Sequence, residues 1–386
     1  MHSDTLPLSI LHVLHPARYG GLETVVLNLA AGLSQSGQDV CLAPVFTEQD
    51  AVDHPFPGAA DDRGIELAPI VIAHRDYRGE RRRIRQIARA RGVHVVHSHG
   101  SHSDVVTASL GRSLGAASVS TVHGFTGGRW RNRVYEWLQE RALRRFDGVF
   151  AVSDPIRQRL INGGVRRDRV HTVRNAWEVP SSAMGRIEAR ERLGLRAEGP
   201  VVGWVGRMSA EKGPDVMVRA ADHVATEGVH FVMIGDGVMR EECRVLARQL
   251  DLETRISWPG VVPDAGDLLN ALDVLVMTSW TEGTPMVLLE AIGQEVPVVT
   301  TSVGGIPDIV SPAEAWLCEA GAPEEIGRSI DEALQESGDA GLRARRAKQR
   351  LVRERDVMAW VERHVDVYRA LSEPSGYGVP PEGGER

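Results

Sequence analysis

The stretch VVGWVGRMSAEKGPDVMVRA, residues 201–220, reads as a buried strand that runs into a loop and then a helix. Gly206, Arg207, Lys212 and Gly213 occupy the loop, and Pro214 opens the helix, where its missing N–H costs nothing. A strand end, a glycine loop and a helix start bring backbone donors to a place where a phosphate can sit. Arg207 and Lys212 add a guanidinium fork and an ammonium point charge, both able to meet a diphosphate. By themselves, two basic side chains on a loop read equally well as solvated surface.

The same strand–loop–helix pattern recurs on both sides of this segment. Downstream, strands are expected at Phe231–Ile234, Arg255–Trp258, Val274–Met277 and Pro297–Thr300, with helices at Pro214–Thr226, Arg240–Leu250, Pro285–Ile292 and Glu324–Gln335. Upstream, they are expected at Ser9–Leu14, Val40–Phe46, Val93–His97, Ala117–Val122, Gly148–Val152 and Val170–Val173, with helices at Leu22–Ser36, Arg81–Arg91 and Val134–Arg145. Such alternation predicts an α/β fold with parallel sheets covered by helices. The turn-rich, charged passage before Val201 reads as a linker. The division is therefore a domain at 1–178, a linker at 179–200 and a second domain at 201–356. A helix over 357–371 packs back on the first domain, and the tail 372–386 is too polar to fold by itself.

At 386 residues the chain is long enough for two such domains. A formal net charge of −7 argues against nucleic acid as the main partner. Cys41, Cys243 and Cys318 are scattered singly, which is neither a disulfide framework nor a zinc pattern. No apolar run approaches a membrane span, and the start lacks a secretory signal, so a cytoplasmic protein is expected.

Further chemistry lies in DVLVMTSWTEGTPMVLLEAIG, residues 273–293. Glu282, Gly283 and Thr284 form a turn before a helix that carries Glu290. Paired carboxylates suit hydroxyl-rich ligands, which they bind through charge-assisted hydrogen bonds. The bland reading makes Glu282 a helix-start carboxylate and Glu290 a solvated one. Glu290, however, stands among apolar neighbours, where a charge is expensive without a partner. Gly235 and Gly237 flank Asp236 at another strand end, and Gly260 ends a third, beside Val261.

These segments together resemble the large family of retaining glycosyltransferases of GT-B fold, glycosyltransferase family four, group 1. The resemblance rests on G-R-x4-K-G at residues 206–213, G-D-G at 235–237, E-x7-E at 282–290 and G-G-I-P-D at 304–308, in the family's order. It implies two Rossmann-like domains facing a central cleft. It implies that Arg207 and Lys212 bind the donor diphosphate, that Glu282 faces the transferred sugar, that Glu290 holds the ribose, and that Gly206, Gly235, Gly237, Gly283 and Thr284 also line the donor. Gly260 and Val261 would contact the base. Asp308 departs from the family's usual Glu at a position read as structural.

In the N-terminal half, the resemblance makes Gly20 and Gly21 a loop over the diphosphate and places His123 beside the reacting sugar. The bland alternatives are an ordinary turn and a structural histidine. VVHSHGSHSD, residues 95–104, invites a metal reading through His97, His99, His102 and Asp104. Acceptor contact by His99 or Asp104 is the preferred functional reading, and no metal is expected. The arginine-rich segments 74–92 and 128–145, the second holding Trp130 and Trp137, are read as solvated faces. Weak peripheral contact with the inner face of a membrane is the alternative.

The implied reaction moves a sugar from a nucleoside diphosphate, with UDP preferred, to an acceptor hydroxyl or amine with retention. The acceptor would be a carbohydrate, a lipid-linked molecule or a natural product. No cofactor is expected beyond the nucleotide sugar as co-substrate, and the absence of D-x-D agrees with a metal-independent site. A sugar-nucleotide epimerase and a catalytically silent sugar-nucleotide-binding module are the alternatives. A nicotinamide dehydrogenase lacks its glycine fingerprint here.

Overall fold

A computed structural model of the chain describes residues 6–18, 20–73, 76–125, 130–177 and 184–372, the side chains of 130–133 excepted. Two parallel sheets form. The first contains β1 (Ser9–Leu14), β2 (Asp39–Thr47), β3 (Glu66–Leu67), β4 (Ile70–Ile72), β5 (Val95–His99), β6 (Ala117–Val122), β7 (Gly148–Ala151) and β8 (Val170–Thr172). Its order is β3-β2-β1-β5-β6-β7-β8, with β4 also paired to β2. The second contains β9 (Val201–Val205), β10 (His230–Ile234), β11 (Ile256–Gly260), β12 (Val274–Met277), β13 (Val298–Thr301) and β14 (Trp316–Cys318). Its order is β11-β10-β9-β12-β13-β14. Strands such as SILHVL of β1 are buried along their whole length, as parallel strands with helices on both faces must be.

Each sheet reverses its winding once, between β1 and β5 in the first and between β9 and β12 in the second. Ligand crevices of open α/β sheets lie beyond the carboxyl ends of the strands at such reversals. The loops that matter are therefore those after β1, β5, β9 and β12.

Strands β1, β6, β9 and β12 have the ends read from sequence, whereas β5 runs two residues further and takes in His99. The short β4 and β14 carry too few residues for periodicity to reveal. The helix Ser337–Glu354 is hidden in a charged sequence, because its buried stripe is Ala340, Ala344, Ala347 and Leu351. Small side chains give little hydropathic signal while still packing closely.

Within the expected linker, residues 179–183 lie outside the described residues. The helix Arg186–Arg192 is fastened to the second domain. There the buried Arg190 donates to the Ala271 carbonyl at 3.0 Å and to Asp273 at 3.0 Å. The chain returns to the first domain through Arg355, whose buried guanidinium donates to the carbonyls of Asn175 and Asp308, both at 3.3 Å. The last helix, Val357–Ser372, lies on helix Gly21–Gln35, where a side chain at Gly32 would meet Val361 at 2.6 Å. The expected tail beyond Ser372 lies outside the described residues. No described helix is long and apolar enough to cross a membrane.

Candidate active site

Three glycine loops of the second domain close on one another. The Gly206 N–H donates to the Ile234 carbonyl at 3.0 Å, that of Met208 to the Asp236 carbonyl at 2.9 Å, and that of Gly235 to the Gly260 carbonyl at 2.8 Å. Gly235 has φ +130°, and a side chain there would collide with the Gly206 carbonyl. Any other residue would push the loops apart, which is why glycine stands at this position.

Lys212 sits at the end of a short 3-10 turn. Gly213 follows with φ +61°, pressed against the Thr278 carbonyl. The Thr278 hydroxyl donates to the Gly213 carbonyl at 2.6 Å and accepts from the buried Trp204 indole at 3.0 Å. This ties the loop after β9 to the end of β12. Lys212 Nζ donates to both oxygens of Glu282, at 2.7 and 2.8 Å, and the Ser279 hydroxyl donates to the same carboxylate at 2.7 Å. An ammonium has three N–H donors, so one remains beyond this pair. The Arg207 guanidinium is exposed and makes no hydrogen bond or ion pair with another described residue.

Glu290 lies on helix Met286–Gly293 against Gly266, where a side chain would approach its carboxyl carbon to 2.8 Å. Burial, reinforced by nearby Asp267, raises its pKa to about 7. Its carboxyl has no hydrogen-bond partner among the described residues. A carboxyl held near neutrality without a partner is characteristic of functional sites.

The first domain meets this rim closely. Gly283 lies against the His123 carbonyl, and the Gly304–Gly305 turn lies against Glu282, Gly283 and Ser153. The Thr284 hydroxyl, expected at the donor, instead donates to the Val152 carbonyl across the boundary at 3.0 Å. Gly20 precedes helix Gly21–Gln35 and Gly21 opens it, packed on Met286. Glu23 accepts from the Ala17 N–H at 2.7 Å and feels the positive charge of Arg207.

The switch point of the first sheet is filled by histidines. His12 Nδ1 lies 2.9 Å from His99 Nε2, and His99 Nδ1 lies 3.2 Å from His123 Nε2. His97 is held on both nitrogens, by the Tyr368 hydroxyl at 2.7 Å and the Thr121 hydroxyl at 2.8 Å. Burial lowers His12 to about 3, His123 to about 4 and His364 to about 4, and it holds His97 and His99 well below the ordinary value. All five imidazoles are therefore neutral at physiological pH. One nitrogen each from His12, His97 and His99 falls within 4.8 Å of the others, a spacing open to a metal ion. The hydrogen bonds just described already engage both nitrogens of His97 and of His99.

Asp104 is not at an acceptor surface. It is fully buried and accepts from Ser98 at 2.6 Å, Ser120 at 2.7 Å and Gln139 at 2.8 Å, joining β5, β6 and the helix Trp130–Leu143. His99 is likewise withdrawn into β5, with 2% exposure, between two other rings. Gly260 is buried at φ +80°, while Val261 is exposed beside it. His12, Glu23 and Thr278 were not legible as site residues. A single histidine in SILHVL carries no signal until the sheet places β5 beside it.

Residues 185–350 match the family glycosyl transferases group 1, and residues 19–178 match glycosyltransferase family 4. The chain is 26% identical over 387 residues to alpha-maltose-1-phosphate synthase of Mycolicibacterium smegmatis, covering 92% of this chain and 97% of that one. It is 24% identical over 309 residues to a phosphatidylinositol N-acetylglucosaminyltransferase subunit of Saccharomyces cerevisiae, covering 76% of this chain and spanning 66% of the yeast protein's length. In fold it is similar to Anabaena HepE, solved in complex with UDP-glucose, with TM-score 0.82 and 20% identity, covering 94% of this chain and all of that one. Both halves of the chain match, and the sheets and motifs agree with them: the protein belongs to the group 1 glycosyltransferases and has their two-domain GT-B architecture.

Proposed function

We propose that this protein transfers a glycosyl group from a UDP-sugar to a hydroxyl or amine of an acceptor bound by the first domain, with retention and without a metal ion. The single observation that carries the reading is the loop pair after β9 and β12. There Lys212 is locked to Glu282, Arg207 is unpaired and Glu290 is a largely buried carboxyl without a partner. Two cations suit a diphosphate, and a desolvated carboxylate suits the two hydroxyls of a ribose.

In this reading the donor diphosphate lies between Gly20, Gly21, Arg207 and Lys212. Glu290 accepts from the ribose, and Gly260 and Val261 border the base. Glu282 orients Lys212 and keeps lone-pair capacity on Oε2 for a sugar hydroxyl. The bond between the anomeric carbon and the β-phosphate oxygen breaks, the acceptor oxygen or nitrogen bonds to that carbon on the same face, and the acceptor proton passes to the departing phosphate oxygen. Preorganised cations stabilise the charge that develops on that phosphate. UDP is favoured because HepE was solved with UDP-glucose.

The test is a thermal-shift panel of UDP-, GDP-, ADP- and dTDP-sugars, followed by product analysis with and without simple sugar and lipid acceptors. Stabilisation by a UDP-sugar and an α-linked product are expected. Interconversion of the donor without acceptor would replace this reading with an epimerase. Binding without turnover on any acceptor would leave a silent module.

A further inference from the structure

Of the four loops at the winding reversals, the donor reading uses those after β1, β9 and β12. The loop after β5 takes no part in it, and runs through Gly100 into the helix Ser101–Thr107. Helix Tyr77–Arg91 packs beside that turn. Asp76 caps it, accepting from the Gly79 N–H at 2.9 Å. Tyr77 and Glu80, three residues apart, share one face of this helix, and both meet His102. Glu80 is fully buried, and its Oε2 accepts from His102 Nε2 at 2.8 Å. The Tyr77 ring, 46% exposed, lies 5.5 Å from that of His102. His15, the residue after β1, brings a third ring to 5.0 Å from His102.

Glu80 is an expensive residue for a purely structural role. Its Oε1 is buried without a partner, and leaving part of a buried carboxylate unpaired costs stability. What it holds is a side chain that keeps 32% exposure. A carboxylate oxygen accepts, so His102 donates from Nε2, and a neutral ring then carries its lone pair on Nδ1. That nitrogen has no partner among the described residues and is not sealed from solvent. The bond to Glu80 thus sets both the tautomer and the direction of the ring.

The group stands next to the donor loop on the first-domain side. Two residues beyond His15, the Ala17 N–H donates to Glu23, the carboxylate that feels Arg207. A side chain at Gly100 would come within 3.6 Å of Leu22, the neighbour of Gly21.

Resting on the transferase reading above, we propose that His15, Tyr77 and His102 border the acceptor subsite and that it takes a neutral polyhydroxylated ring, a sugar. The open face of Tyr77 receives the C–H face of such a ring, and His102 Nδ1 accepts from one of its hydroxyls. Glu80 is a positioning residue, which acts on the acceptor only through His102. An anionic group at Nδ1 would meet a lone pair backed by a carboxylate, so the hydroxyls, not a phosphate, are what this nitrogen reads.

The test uses the full chain saturated with UDP and the methyl glycosides of glucose, galactose, mannose and N-acetylglucosamine. Binding is read by saturation-transfer difference NMR, which needs no turnover. At least one glycoside is expected to bind through its ring C–H protons. Tyr77→Ala and His102→Phe, the second keeping a ring but no nitrogen, are each expected to weaken its Kd about tenfold. UDP affinity should not change. In turnover, KM for that glycoside should rise by the same factor at constant donor KM. Glu80→Leu is expected to follow His102→Phe, whereas Glu80→Gln, whose carbonyl still accepts from Nε2, should stay within about threefold of wild type.

Equal glycoside affinity in wild type, Tyr77→Ala and His102→Phe overturns the proposal, as does failure of every glycoside to bind. A rise in donor KM at unchanged acceptor KM also overturns it. If Glu80→Leu fails to fold, the variants at the accessible Tyr77 and His102 still decide. If a bound glycoside is never modified by any donor, the transferase reading fails, while its loss from the two variants still upholds the subsite.

Discussion

On the second-domain rim the polar groups are ionisable and carried by loops or a helix: Arg207 exposed, Lys212 half-buried against Glu282, and Glu290 largely buried on its helix. On the first-domain rim they are neutral and carried by strands or a strand end: His12 and His99 sealed, and His123 half-buried. The difference follows from what each must do. A diphosphate brings negative charge into the cleft, and only full countercharges kept near water can meet it without a prohibitive desolvation cost. A neutral ring carries no charge to desolvate, so the interior of a parallel sheet can hold it.

The sharpest way to break this contrast is Lys212→Ala. Loss of the cation, with Glu282 left unpaired, is expected to reduce turnover by roughly 10³-fold, near the upper end of what one oxyanion donor contributes. Near-normal steady-state kinetics would remove the charged rim from the mechanism. Arg207→Ala should act in the same direction and more weakly, since the guanidinium is exposed and has no partner to strand.

Asp104→Asn probes the sealed side. An amide cannot accept from Ser98, Ser120 and Gln139 together, so a loss of about 1–3 kcal/mol is expected in denaturant unfolding. KM for the acceptor should not change. A selective rise in acceptor KM at unchanged stability would restore Asp104 to the acceptor site.

Glu290→Gln sharpens the comparison through pH. The folded pKa of about 7 lies above the ordinary carboxyl value of 4.5, so the native state holds the extra proton between those values. Stability contributed by that proton is present below about pH 4.5 and is lost as pH rises through 7. The variant should therefore match wild type near pH 4.5 and exceed it by about 3 kcal/mol at pH 8. UDP affinity should rise with pH through 7 in the wild type, because ribose hydroxyls favour the ionised acceptor, and should be flat in the variant. A pH-independent stability difference would contradict the assignment.

The smallest effect is expected from Thr284→Val, which removes the hydroxyl bond to the Val152 carbonyl across the domain boundary. About 1 kcal/mol of closure is at stake, read as a several-fold change in KM for the donor. A larger loss of global stability would make that contact part of the core.

Local grammar carried far into this molecule. Strand ends at Leu14, Val122, Val205 and Met277 and the loops that follow three of them are written in nearest-neighbour chemistry: apolar runs, glycines where backbones must approach, a proline at a helix start. The charged rim was legible for the same reason, since Arg207, Lys212, Glu282 and Glu290 stand out against their own neighbours. The helix at 337–354 was not, because alanine packs well without announcing itself.

What composition and spacing determined by themselves is the class of fold and the identity of the charged groups. Only the tertiary structure decided their partners. It joined Lys212 to Glu282 across 70 residues and His12 to His99 across 87. It also engaged Asp104 and Thr284 in bonds of the scaffold, to Ser98 and to the Val152 carbonyl. The reason is physical: whether a polar side chain serves a substrate or its own fold depends on which donors and acceptors the strand order brings within about 3 Å, and that order is a property of the assembled sheets.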